Sequence, residues 1–134
     1  SLPLAPFRGD LPWPVRGRVR AAFGDRSAAR RAAFARRGIE IAAPLGSPVT
    51  AVHDGRVAFA GPFAGFGTLV IVEHEPGAYS LYGHLETAAV GRGDHVDRRA
   101  PIGTVGLTPG GRPALYFELR VDGRPVDPLE WLER

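Results

Sequence analysis

The side chains able to hold a metal or move a proton are few in this chain. It has four imidazoles, His53, His74, His84 and His95, and no Cys. Disulfides and thiolate metal sites are therefore excluded. One carboxylate, Glu40, lies in a strand-like segment from Gly38 to Ala43, where Ile39 and Ile41 face the other way. In a second segment, Ala114 to Val121, Leu115, Phe117, Leu119 and Val121 share one face, and Ala114, Tyr116, Glu118 and Arg120 share the other. A catalytic zinc takes three protein ligands and keeps one position for water, whose pKa falls towards neutrality so that it can attack. Nothing in the sequence sets His53 or His95 beside Glu40. A lone His in a strand is more often structural than a ligand.

These residues need strands to position them, and the chain supplies them in quick succession. Alternating segments run from Gly38 to Ala43, Pro48 to His53, Gly55 to Ala60, Thr68 to His74, Tyr79 to His84, His95 to Val96, Pro101 to Val105 and Ala114 to Val121. Turn signals separate them, among them Asp54-Gly55, Pro62 to Gly67, Glu75-Pro76-Gly77, Gly91 to Asp94, Thr108 to Pro113 and Asp122-Gly123. No long amphipathic helix and no internal repeat interrupts them. The pattern predicts a mainly β domain of antiparallel hairpins. If His74 pairs with Tyr79 across the Pro76-Gly77 turn, Tyr82 and His84 face one way over Leu69 and Ile71, and His74 faces the other with Val70, Val72 and Leu81. A slip of one residue reverses this.

The 134 residues favour one domain, and 44% hydrophobic content is ample for a core. Residues 1–12 read as the end of a linker and residues 13–134 as the domain, cut from a longer protein. No run of about 18 apolar residues is present to span a membrane. All 17 basic residues are Arg, and the net charge is only +3. Arg26, Arg30, Arg31, Arg36 and Arg37 cluster in a polar, Ala-rich stretch that reads as a loop with at most one helical turn. No aromatic-and-basic pattern of a nucleic-acid module accompanies them.

Together, Gly38 to Pro44, Gly46 to Val49, Asp54 to Val57, Val70 to His74, Leu81 to Leu85, Ile102 to Gly106 and Phe117 to Arg120 resemble the LytM or M23 family of peptidoglycan endopeptidases in order and spacing. The resemblance covers about Trp13 to Trp131. It implies the family's antiparallel β-sheet fold, with long loops around a central groove. Active members bind zinc through His-x-x-x-Asp and the second His of His-x-His. The matching positions here read Arg36 to Glu40 and Ala114 to Tyr116, so Arg36, Glu40 and Tyr116 occupy vestigial metal positions. Glu40 could still ligate. Arg36 cannot, because its guanidinium stays protonated; Tyr116 is a poor substitute and Ala114 offers nothing. Only His84 survives, at a hairpin position that does acid/base work in active members. The resemblance thus implies a pseudoenzyme with no metal cofactor.

The stretches Gly111 to Arg120 and Gly123 to Leu132 are similar to the degenerate LytM domain of EnvC-type murein hydrolase activators. Such proteins are periplasmic and carry an N-terminal coiled coil that would join a division-site complex. The resemblance implies that the vestigial groove captures the regulatory helix of an N-acetylmuramoyl-L-alanine amidase and so promotes septal peptidoglycan hydrolysis. Peptidoglycan is a further candidate partner. An amphipathic helix needs apolar anchors and flanking charges. Phe66, Leu69, Tyr82 and Tyr116 are expected to supply the former, Arg37 and Arg120 the latter, with Glu40 and His84 in the same groove. Plain packing roles stay open for Phe66 and Tyr82, as does an internal Arg120 pair with Glu118 or Glu130. Two other functions stay open: a passive wall-binding module, and a zinc endopeptidase using Glu40, His84 and an unforeseen ligand.

Overall fold

The computed structural model describes residues 2–24 and 37–134. Arg36, most of the basic cluster and the expected helical turn therefore lie outside the described residues.

Ten strands are described: β1 (Arg18–Ala21), β2 (Ile39–Ala42), β3 (Pro48–Thr50), β4 (Gly55–Phe63), β5 (Gly67–Glu75), β6 (Ala78–Ala88), β7 (His95–Val96), β8 (Pro101–Val105), β9 (Ala114–Val121) and β10 (Arg124–Val126). All pair antiparallel, in the order β1-β2-β9-β6-β5-β4-β7, with β10 on β9 and β8 linking β6 to β3. The mainly β fold is the one expected. Alternation decides the two faces of the sheet. Ile39, Ile41, Leu115, Phe117, Leu119, Val70 and Val72 turn to one side and form a fully buried core. β5 and β6 form a hairpin whose turn uses Pro76 and Gly77, the latter at φ +85°, where glycine is least strained. Two short strands, β1 and β10, carry no clear alternation and were not expected.

Residues 2–12, expected as the end of a linker, pack against the domain. Leu4 and Leu11 are fully buried, and Leu11 bridges to Leu132. The Leu4 amide donates to Glu75 at 2.9 Å, while those of Gly9 and Leu11 donate to the Trp131 carbonyl. The three prolines of this segment read as linker, yet Leu4 and Leu11 cap the core.

The β5–β6 register also differs from the expected one. Glu73 pairs with Tyr79, Ile71 with Leu81 and Val70 with Tyr82, with irregularities between Glu73 and Glu75 and between Thr68 and Val70. The extra residue in β5, His74 between Glu73 and Glu75, reverses the β6 faces. Tyr82 therefore enters the core, with no solvent exposure, and Leu81 takes the opposite face. Tyr82 is not a groove residue.

Its hydroxyl is held by a closed chain of hydrogen bonds. The His74 ring must donate from Nδ1 to the Asp54 carbonyl at 2.8 Å, which leaves Nε2 to accept from Ser80 Oγ at 2.8 Å. Ser80 then accepts from Tyr82 Oη at 2.7 Å, and Tyr82 Oη accepts from the Val52 amide at 3.1 Å. The His74 ring nitrogens and the Ser80 and Tyr82 hydroxyls are all satisfied, as burial requires. Burial lowers His74 to a pKa of about 4, assisted by nearby His53 and opposed by its Asp54 carbonyl partner. Burial likewise raises Tyr82 to about 12.

Candidate functional site

The second face of the sheet carries the candidate site. Glu40 on β2 and Gly83 on β6 flank Tyr116 on β9. Gly38 lets the chain cross there: a Cβ on it would lie 2.4 Å from the Phe117 carbonyl oxygen and 2.8 Å from Tyr116 Oη. Arg37 just before it is exposed. Gly83 opens space into which Phe66 and Tyr116 lean, with ring centroids 5.5 Å apart. His84 adopts φ +60°, rare for a residue with a side chain, and its ring lies 6.4 Å from that of Tyr116, edge-on. Its amide donates to Phe66 and its carbonyl accepts from Gly106, which hold the unusual backbone. Burial lowers the His84 pKa, with Glu40 pulling the other way.

The charges at this site are tied together. Arg20 donates from Nη2 and Nε to Glu40 Oε1 at 2.9 and 3.3 Å. Tyr116 Oη donates to Glu118 Oε1 at 2.6 Å, and Arg120 Nε donates to Glu118 Oε2. Glu118 is 1% exposed, so a buried carboxylate is shared between a phenol and a guanidinium. The zinc that the resemblance implies for active members does not fit these donors. Ala114 has none, the Tyr116 phenol is spent on Glu118, and the Glu40 carboxylate faces a guanidinium. Among the described residues, no three of His, Cys, Asp and Glu come together as a metal-holding group.

Beside Tyr116 the same face opens into an apolar groove of about 400 Å³, lined by Phe59, Phe63, Phe66, Leu69, Ile71 and Leu81. Phe63 is 50% exposed, and its ring contacts those of both Phe59 and Phe66. Arg120 edges the groove near Tyr79. The structure thus brings Glu40, Phe66, Leu69, His84, Tyr116 and Arg120 to one face, and leaves Tyr82 behind the sheet. Leu81 was assigned to the wrong face in the sequence because only the bulged register turns it outwards. Phe63 follows from an unforeseen extension of β4 through Pro62, and Phe59, inside the expected strand, follows from the irregularity between Val57 and Phe59. Nothing in the sequence marked Arg20 as the partner of Glu40.

A sequence model of Peptidase family M23 matches residues 35–128. The murein hydrolase activator EnvC of Escherichia coli is 41% identical over 95% of this chain, which covers 30% of that protein. The murein hydrolase activator NlpD of the same organism is 34% identical over 98% of the chain, covering 32% of it. The chain thus spans about a third of the length of these relatives. Among solved structures, a zinc-containing peptidase from Vibrio cholerae superposes with a TM-score of 0.80 at 26% identity, over 95% of this chain and 41% of that one.

Proposed function

The chain belongs to Peptidase family M23, and from that premise we propose that it is a non-catalytic activator of peptidoglycan hydrolysis. Its partner is an N-acetylmuramoyl-L-alanine amidase of the periplasm, whose regulatory helix it binds in the groove beside Tyr116. Binding favours the open amidase and so promotes septal peptidoglycan cleavage during cell division. A ligand can shift such an equilibrium only through its higher affinity for one state, so the domain must hold the helix better when it is released from the amidase active site. The relatives named as murein hydrolase activators support the activator reading.

The observation that carries the proposal is the fate of the metal positions. Tyr116 and Glu118 form one buried unit with Arg120, Glu40 pairs with Arg20, and an aromatic groove adjoins them. Donors for chemistry have given way to side chains of the kinds that anchor interfaces, Tyr and Arg, beside exposed Phe. Dye release from labelled peptidoglycan tests it. Neither the domain nor an autoinhibited amidase should release dye alone, and the mixture should. Release by the domain alone, abolished by a chelator, would show an endopeptidase instead. Binding to purified sacculi without any effect on amidases would show a passive wall module.

A further inference from the structure

The groove face is electrically lopsided. Its inner cations are neutralised within the chain, Arg20 by Glu40 and Arg120 by Glu118. At the far corner, Arg18 and Arg112 line a second depression with Ala42, Ala43, Pro44 and Pro113, and the Glu40-paired Arg20 closes its inner side. Arg18 and Arg112 are exposed, and among the described residues neither has a carboxylate partner. Register places this corner on the groove side of the sheet. Arg18 pairs with Ala42 and Ala42 with Ala114, two residues along from Glu40 and Tyr116 on the same face.

We propose that Arg18 and Arg112 form an anion-binding clamp for an acidic group at one end of the amphipathic helix whose apolar side fills the Phe66–Leu69–Ile71 groove. This rests on the proposed function and adds the charge pattern of the partner. From β5 to β1 the path crosses four strand spacings, β5-β6-β9-β2-β1, which is about 19 Å. Ile71 pairs with Leu81 and Leu81 with Glu118, four residues along the strand from Ala114, which brings the distance to about 23 Å. A helix rises 1.5 Å per residue, so about 15 residues cover that distance. The partner helix therefore carries apolar residues at i, i+3 or i+4 and i+7, and an Asp or Glu about 14 or 15 positions from the first, on the same face. A basic or uncharged end would leave the clamp unmatched. The two guanidiniums suit a carboxylate by their fork geometry.

The test compares amidase binding by the chain and by the variant R18E/R112E between 50 and 300 mM salt. Charges at an interface rim act mainly on association rate and on salt dependence. The variant is expected to associate about tenfold more slowly at low salt, with a flattened salt profile and an unchanged melting curve. The control R92E/R99E makes the same change in net charge away from the groove and is expected to bind as wild type. Wild-type rates and salt dependence in R18E/R112E would overturn the clamp while leaving groove binding intact. Equal slowing in the control would also overturn it, reducing the effect to net charge. If the unaltered chain binds no amidase, both the clamp and the proposed function fail.

Discussion

Replacing Arg120 by Ala is a stability experiment before it is a binding experiment. Arg120 reaches the buried Glu118 carboxylate, whose other oxygen accepts from Tyr116 Oη at 2.6 Å. Glu118 is 1% exposed and Arg120 34% exposed. Removing the cation leaves a carboxylate in the sheet with one neutral hydrogen bond. Loss of one partner from a buried pair costs about 3–5 kcal/mol, and water reaching the vacated Arg120 site reduces that to roughly 2–3 kcal/mol. For a chain of this length each kcal/mol lowers Tm by about 4 °C, so R120A should melt about 8–12 °C below wild type. The double variant E118Q/R120A should melt well above R120A, because a neutral amide is cheaper to bury than an unpaired charge. Calorimetric melting of wild type, R120A, E118Q and E118Q/R120A completes the cycle. R120A melting within 1–2 °C of wild type would refute the argument, and would return Arg120 to the role of a free charge for the partner.

Phe66 is the cleaner probe of the groove. Half-open and away from the core, Phe66→Ala should weaken amidase binding by about 2 kcal/mol, roughly thirtyfold, with Tm close to wild type; unchanged affinity in calorimetric titration would move the partner elsewhere. Zinc analysis after dialysis should return well under one equivalent, because Ala114 offers no donor and Glu40 and Tyr116 are bonded to Arg20 and Glu118; a tight equivalent lost in Glu40→Ala would overturn the pseudoenzyme. The His74 imidazole, lowered from 6.5 to about 4, binds its proton more readily in the unfolded chain. Its stabilising effect is therefore full above pH 6.5 and is lost as pH falls towards 4, up to about 3 kcal/mol. Denaturant titrations across that window should show a steeper loss for wild type than for His74→Asn, and parallel curves would refute the assignment.

The sequence alone was enough for the sheet's outline and for grouping Glu40, His84 and Tyr116 on one face. Alternation in Ile39-Glu40-Ile41 and in Leu115 to Val121 separates core from groove face, because an extended chain has no other way to place successive side chains. The order of the motif segments was sufficient to bring Glu40, His84 and Tyr116 to one place. What tertiary structure decided depends on contacts far apart in the chain. The Leu4 amide meets Glu75 71 residues away, and Trp13 Nε1 meets the Glu133 carbonyl 120 residues away; neither end of the chain announces such a partner. The pairing of Arg20 with Glu40 needs β1, a strand too short and too polar to show a period. The faces of β6 turned on a single extra residue in β5, His74 between Glu73 and Glu75, and that residue sent Tyr82 into the core and Leu81 into the groove. Side-chain period in a strand is two, so an error of one in register inverts a whole strand, and only packing against β5 and β9 settles which register is lower in energy.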